Sequence, residues 1–325
     1  MLHSIVLPMA IGFTIFLGGM KLMELALHRL AGPQLGRVLH RSTTTPGHGL
    51  IVGTATTAFL QSSTAVTVIA IGLVNARLLT FPRTLGIILG TNIGTCLTTE
   101  LIGLRLNELA FPLLAISAAL WLVTVLLDEL QLLPLRTGAR KRVEKTRFGS
   151  VALGGFSLLL TGMALMQSIG PAVQSSPLFD WFLAKSAENL WWALAAGAVL
   201  TAIVHSSSAV IGIVMGFASI DAMPPELCVA IVLGANVGTC VTALLASIGG
   251  SKGGKLVALS HIVLNAGGAL LFMPFVGQLT ALSGWLAHSP ASQIAHAQTI
   301  FNLASSLLAL PLCYLPVFKR MQLAD

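Results

Sequence analysis

Gln61-Ser62-Ser63-Thr64-Ala65-Val66, followed by Gly90-Thr91-Asn92-Ile93-Gly94-Thr95-Cys96, is a pattern that this chain writes twice. The second copy reads His205-Ser206-Ser207-Ser208-Ala209-Val210 and Gly234-Ala235-Asn236-Val237-Gly238-Thr239-Cys240. Both blocks are displaced by 144 residues, so the spacing inside the pair is kept as well. Each block is a small polar island in an apolar run, where an unsatisfied hydroxyl, amide or peptide group is costly. Duplicated polar islands at mid-depth suit a transporter built of two related halves. A soluble core has little use for them.

Composition sets the compartment. Of 325 residues, 55% are hydrophobic and 9% charged, far from the roughly 25% charged content of soluble domains. Mean hydropathy is +0.89. Apolar runs close to the length that crosses ~30 Å of hydrocarbon recur along the chain, so a multi-pass protein of the plasma (inner) membrane, solvated by the lipid bilayer, is expected. The first run, Ile5 to Ala26, has no basic stretch before it and no small-residue cleavage pattern after it, and reads as a span and not as a removed signal peptide.

The net charge of +7 lies in a few loops. Arg29, Arg37 and Arg41, then Arg77 and Arg83, the run from Arg136 to Arg147, Lys252 and Lys255, and Lys319 and Arg320 fall on one side; only Arg105 and Lys185 fall on the other. This asymmetry places the N terminus outside and the C terminus in the cytoplasm, and argues against a nucleic-acid partner. Cys96, Cys228, Cys240 and Cys313 show no metal-ligand spacing and read as small buried apolar residues, with no disulfide.

Residues 49–60 and 63–75 are each too short to cross alone, and Gln61-Ser62-Ser63 interrupts them at the centre. With Arg41 and Arg77 flanking the pair, a re-entrant hairpin from the inner face is expected, and residues 191–218 repeat the plan around His205. Residues 81–103 and 227–248 read as spans divided by their polar islands. An odd number of crossings in the first half turns the second half upside down. The fold class is therefore an all-α polytopic membrane protein: an inverted-topology repeat with two re-entrant helical hairpins and two broken transmembrane helices. Residues 1–133 form the first repeat, 134–149 a basic cytoplasmic linker, 150–276 the second repeat, and 277–325 the final transmembrane helix and tail. A homodimer through the glycine-bearing outer spans is left open.

A broken helix frees amides at one new end and carbonyls at the other, the first attracting anions and the second cations. Hydroxyls of Ser62, Ser63, Thr64, Ser206, Ser207 and Ser208 around one cavity suit a compact oxyanion accompanied by cations. None of the four islands contains Arg or Lys, the usual direct partners of phosphate, so a multivalent anion would need co-bound cations and coupling would be built into binding. Glu100, near Arg105, reads as an outer-interface residue, and Glu24 as the partner of Lys21.

The doubled Gln-Ser-Ser-Thr and Gly-Thr-Asn-Ile-Gly-Thr pattern resembles the sodium-phosphate cotransporter family, the type II group and its bacterial relatives, over essentially residues 10–310. The resemblance implies sodium-coupled movement of inorganic phosphate by alternating access, with co-transported sodium ions and no organic cofactor. It implies that Ser62, Ser63, Thr64, Ser206, Ser207, Ser208, Asn92 and Asn236 contact phosphate, and that Gln61, Ser62, Thr91, Thr95, His205, Ser206 and Thr239 surround sodium. Ser260-His261-Ile262-Val263-Leu264-Asn265 and Ala297-Gln298-Thr299-Ile300-Phe301-Asn302 look like a further family helix motif. There His261 with Asn265, and Gln298 with Asn302, share a helix face and support the site through interhelical hydrogen bonds.

His205 stands where the family's second hairpin usually has glutamine. Imidazole is a poor sodium ligand but titrates near neutrality, which puts one sodium position in doubt and opens pH-sensitive coupling. The alternatives are a proton-coupled or passive transporter or channel of phosphate or another small oxyanion. An intramembrane hydrolase using Ser206 or Ser207 with His205 is disfavoured, because the first copy has Gln61 in the histidine position.

Overall fold

In hydrocarbon every peptide group must find its partner inside the chain, and a helix achieves this without a neighbour. The computed structural model describes residues 6–31, 34–104, 106–129 and 137–316, and among them there is no strand. The α-helices are α1 (Leu7–Ala31), α2 (Gln34–Ser42), α3 (Pro46–Leu60), α4 (Ser63–Asn75), α5 (Phe81–Gly103), α6 (Ala110–Glu129), α7 (Thr137–Ser168), α8 (Gly170–Gln174), α9 (Pro177–Glu188), α10 (Trp191–Val204), α11 (Ser207–Ala218), α12 (Pro225–Gly238), α13 (Cys240–Ser247), α14 (Lys252–Phe272), α15 (Val276–Leu286) and α16 (Pro290–Ala309). Among the described residues seven segments are long and apolar enough to cross a membrane: Leu7–Ala31, Phe81–Gly103, Ala110–Asp128, Gly138–Ser168, Pro225–Ser247, Lys252–Leu286 and Pro290–Tyr314. They fall on the seven crossings expected from sequence. The basic residues Arg105, Arg136, Lys319 and Arg320 lie outside the described residues.

The chain packs as two compact units, residues 1–32 with 105–172 and residues 33–104 with 173–325, so each unit draws on both consecutive halves. In the first unit α1 and α7 run antiparallel at backbone contact. A Cβ on Gly12 would press on the Gly162 carbonyl, and one on Gly19 on the Gly155 carbonyl. These glycines of the outer spans therefore face each other within the chain. On its other side α7 holds α6: Ser117 Oγ donates to the Ser150 carbonyl at 2.7 Å, and Ser157 Oγ donates to the Ala110 carbonyl. Asp128 takes Arg147 at 2.9 Å and Arg140 at 3.3 Å. The basic linker expected over 134–149 is helical from residue 137, where it forms the first turns of α7 and docks its arginines on α6.

In the second unit one packing scheme occurs twice. α3 lies parallel to α5, where a Cβ on Gly90 or Gly94 would strike the carbonyls of Leu50 and Thr54. α10 lies on α12 in the same way, with Gly234 and Gly238 under the carbonyls of Leu194 and Ala198. Every one of these positions is matched at the 144-residue offset. The second arms then exchange: α4 packs on α13 and α14, while α11 packs on α5 and α16.

The first divided span requires correction, whereas the second is divided at a single residue. α5 is continuous through Thr91-Asn92-Ile93-Gly94-Thr95, because its hydroxyls are satisfied within the helix: Thr91 Oγ1 donates to Ile88 O at 2.7 Å and Thr95 Oγ1 to Thr91 O at 2.8 Å. Its glycines serve close approach to α3 and not a break. The second span is interrupted only at Thr239, which keeps right-handed helical angles, φ −63 and ψ −20. Asn236 Nδ2 donates back to Val232 O at 2.9 Å there, and Thr239 Oγ1 to Asn236 O at 2.6 Å. Hydroxyl and amide back-bonding lets a polar island ride on an intact helix.

Candidate functional site

The helix breaks occur at the hairpin tips. Gln61 and His205 each close a helix in the left-handed region, at φ 55 and φ 57, and each amide donates at 2.8 Å to the carbonyl four residues back, Thr57 or Thr201. The next residue turns extended and becomes an N-cap: Ser62 Oγ accepts from Ala65 N and Ser206 Oγ from Ala209 N, both at 3.2 Å. Serine caps satisfy one of the free amides at a helix start. The amides of Ser63 and Thr64, and of Ser207 and Ser208, open their helices with no carbonyl one turn earlier to receive them. Each tip thus presents an amide end of partial positive charge beside a carbonyl end of partial negative charge.

The side chains differ more than the backbones. Ser207 and Ser208 are buried, whereas Ser63 and Thr64 are half-buried. Gln61 is half-buried, with Nε2 on the Ala58 carbonyl at 2.5 Å and Oε1 without a protein partner; His205 is exposed. Arg77 and Asp221 form a second matched pair of left-handed residues, φ 58 and φ 54, at the far ends of α4 and α11, so one backbone turn carries opposite charges.

On the spans, Asn92 Nδ2 donates to Asn265 Oδ1 at 3.0 Å, while Asn265 Nδ2 donates to the His261 carbonyl at 3.0 Å. Asn265, expected only in support, is a direct partner of an island residue. Asn302 Nδ2 reaches Cys96 Sγ at 3.5 Å, and Gln298 is fully buried with neither amide atom bonded. His261 Nδ1 is likewise buried without a partner. Asn236 is buried and bonded within its own helix; Thr91 is buried, and Thr95 and Thr239 are half-buried.

Two sets of residues escaped the sequence reading. Thr57 and Thr201 are fully buried, and neither hydroxyl has a protein partner. They are exact mates in the repeat, one turn before Gln61 and His205, and extending the 144-residue comparison upstream finds them. Orphaned oxygens of Thr57 and Gln61 near a helix carbonyl end are the donor set a small hard cation takes. The second set is Thr299 and His296, the partners of Glu100, whose carboxylate accepts from Thr299 Oγ1 at 2.5 Å and pairs with His296 Nδ1 at 3.0 Å. Glu24 pairs with Lys21 at 3.0 Å.

A multi-pass membrane protein whose doubled hairpins end in serine-capped breaks fits a transporter, and comparison with known sequences agrees. The sequence model of the family described as Na+/Pi-cotransporter matches twice in tandem, over residues 15–168 and 158–310. The chain belongs to the Na+/Pi-cotransporter family, a family of transporters and not of enzymes. It is 34% identical over 297 residues to YqeW of Bacillus subtilis, an uncharacterized protein, covering 91% of both chains. It is 27% identical over 295 residues to the "Putative inorganic phosphate export protein YjbB" of Escherichia coli K12, covering 90% of this chain and 51% of that one. The chain thus spans about half the length of that relative. Human sodium-dependent phosphate transport protein 2B is 31% identical over 91 residues, 27% of this chain. No solved structure matches the chain.

Proposed function

We propose that the chain moves inorganic phosphate together with sodium by alternating access of one central site made by both hairpins. The observation that carries this reading is the pair of twin tips: each joins an amide-rich helix start to a carbonyl-rich helix end within four residues, so an oxyanion and a cation find complementary ends at one place. Phosphate would sit on the amides and hydroxyls of Ser63, Thr64, Ser207 and Ser208, with Ser62 and Ser206 holding the turns and Asn92 and Asn236 facing from the spans. Sodium would take the oxygens of Gln61, Thr57 and the α3 carbonyl end, with Thr91, Thr95 and Thr239 at the flanking islands. Because α5 is continuous and the second span is interrupted only at Thr239, the hairpins supply most of the backbone ends. His205 has no oxygen to offer, which makes the second cation position weaker than the first.

Inverted topology is supported on three grounds. Gly12-Phe13 and Gly19-Met20 of α1 recur as Gly155-Phe156 and Gly162-Met163 of α7 at an offset of 143, and Gly12 meets Gly162 while Gly19 meets Gly155; exchanging each glycine for its mate returns the same two contacts, as a two-fold axis across antiparallel helices requires. The arms α3 and α4, at 15 and 13 residues, reach only about 20 Å at 1.5 Å per residue, short of the ~30 Å core. Arg77 and Asp221, equal in backbone and opposite in charge, suit opposite faces of the membrane, the arginine inside.

The test is uptake of radiolabelled phosphate into proteoliposomes under an inward sodium gradient, with potassium replacing sodium in the control. Saturable uptake that requires sodium is the expected result. Uptake indifferent to sodium but driven by a proton gradient would move coupling to a titratable group, and unsaturable flux would make the protein a passive pathway.

A further inference from the structure

Between α5 and α16 polar contacts run from end to end. Ser306 Oγ donates to the Leu89 carbonyl at 3.2 Å, Asn302 Nδ2 to Cys96 Sγ at 3.5 Å, and Ser292 Oγ to the Gly103 carbonyl at 2.9 Å. One turn before the Gly103 end of this seam stands Glu100, with Thr299 and His296 on its carboxylate. Among the described residues of this unit, Glu100 with His296 is the one ion pair that joins two helices.

The twin seam lacks it. Cys240 Sγ donates to the His261 carbonyl of α14 at 3.5 Å, as Cys96 Sγ does to the Gln298 carbonyl of α16 at 3.9 Å. That correspondence makes Leu244, Leu259 and Ile262 the counterparts of Glu100, His296 and Thr299. Packing of the two helices therefore does not call for the Glu–His–Thr trio, and an ionisable pair joining two candidate membrane-crossing segments marks function by default. The side chains of His296 and Glu100 are 32% and 29% exposed, open enough for protons to reach them.

We propose that Glu100 and His296 form a proton-binding site: acidification protonates the imidazole, the imidazolium locks on the carboxylate, and the tightened α5–α16 seam slows phosphate movement. The transport half of this rests on the function proposed above. The added proton resides on the ring, so an imidazole N–H on a carboxylate, already charge-assisted through its acceptor, becomes an imidazolium–carboxylate pair charged on both sides. Imidazole is the side chain whose ordinary titration falls between about pH 5 and 8. α5 carries Asn92 and Thr95 while α16 carries Gln298 and Asn302, so a cycle that shifts one helix against the other must strain this contact.

Neighbouring elements bring few competing groups. α4, α11 and α15 contain no ionisable residue. Cys96 lies on the seam one turn before Glu100; Arg83 of α5, His48 of α3, Glu226 and Cys228 of α12, Lys252, Lys255 and His261 of α14, and Cys313 and Tyr314 after α16 complete the set. None of the charged groups among them forms an ion pair with Glu100 or His296.

The decisive experiment is a double-mutant cycle of Glu100→Gln and His296→Gln, read by thermal unfolding of the purified full chain in detergent at pH 8 and pH 5.5. Glutamine keeps a hydrogen bond but cannot titrate. His296→Gln is expected to lower Tm by ~1–3 °C more at pH 5.5 than at pH 8, and to do so only while Glu100 is present. Coupling that does not change with pH overturns the proton site. Phosphate uptake follows, each variant's rate divided by the native rate at the same pH, which cancels phosphate's own titration. The His296→Gln ratio is expected near one at pH 8 and several-fold above one at pH 5.5, and a flat ratio overturns the transport half. Absence of phosphate uptake in every protein would overturn that half together with the proposed function, while the unfolding arm still decides the proton site.

Discussion

At the tip of the α3–α4 hairpin, Gln61 is half-buried with Oε1 unpartnered, and the Thr57 hydroxyl one turn earlier is unpartnered too. At the tip of α10–α11 the same left-handed backbone carries an exposed His205, and the burial has passed to Ser207 and Ser208. The caps, the backbone bonds and the glycine contacts to the neighbouring span are alike in both. The fold therefore needs the break and its serine, while the side chain at the left-handed position is free for ligand chemistry. A non-glycine residue there costs on the order of 1–3 kcal/mol, a cost that persists where the side chain is used. Under the proposed function this difference gives the first hairpin the stronger cation position, while both tips serve the oxyanion.

Breaking the shared frame should have the largest effect. Gly90→Val and Gly234→Val each push a side chain into a backbone carbonyl that cannot retreat, and each should cost about 3 kcal/mol or more in thermal unfolding. Gly72→Ala, where a Cβ meets nothing within 4 Å, is the neutral control.

Sodium separates the tips. Thr57→Val removes a hydroxyl without changing shape, and the sodium concentration that half-saturates uptake should rise about tenfold, equivalent to ~1.4 kcal/mol. Thr201→Val should shift it less, since His205 leaves that tip without a matching amide oxygen. Equal shifts would erase the assignment of the cation to the first hairpin.

Cap removal tests what the tips share. Ser62→Ala and Ser206→Ala should each lower stability by ~1 kcal/mol, by the same amount within error, as loss of one N-cap predicts. The smallest effect is expected from glycine at the left-handed positions. His205→Gly should raise stability by up to ~1 kcal/mol, and Gln61→Gly by less because its bond to the Ala58 carbonyl is lost, while both reduce transport. A glycine protein that transports normally would show the side chain at that tip to be dispensable.

Much of this was legible along the chain. The spans follow from hydropathy and length, and the hairpin breaks from Gln-Ser-Ser and His-Ser-Ser, because a cap is made by residues within one turn of each other. The division expected in α5 was misread for a related reason, while that at Thr239 is present. Gly90, Gly94, Gly234 and Gly238 serve equally for unwinding a helix and for letting another backbone lie against it, and only the presence of α3 and α10 chooses between them. Thr91 and Thr95 satisfy themselves inside α5, so polarity there does not signal a break. The basic run expected as a loop is helical for the same kind of reason, with Arg140 and Arg147 held by Asp128 of α6.

By itself the sequence determined the membrane character, the segments long and apolar enough to cross, the doubled pattern and the breaks at the two hairpin tips, all of which arise from local composition or from self-similarity at a constant offset. Only the tertiary structure decided that α16 stands to α5 as α14 stands to α13, that Asn92 meets Asn265, that Thr57 and Thr201 are buried unpartnered, and that Glu100 faces His296 and Thr299. These are pairings between helices up to about two hundred residues apart. A hydrogen bond depends on a few ångströms of approach that no local propensity records.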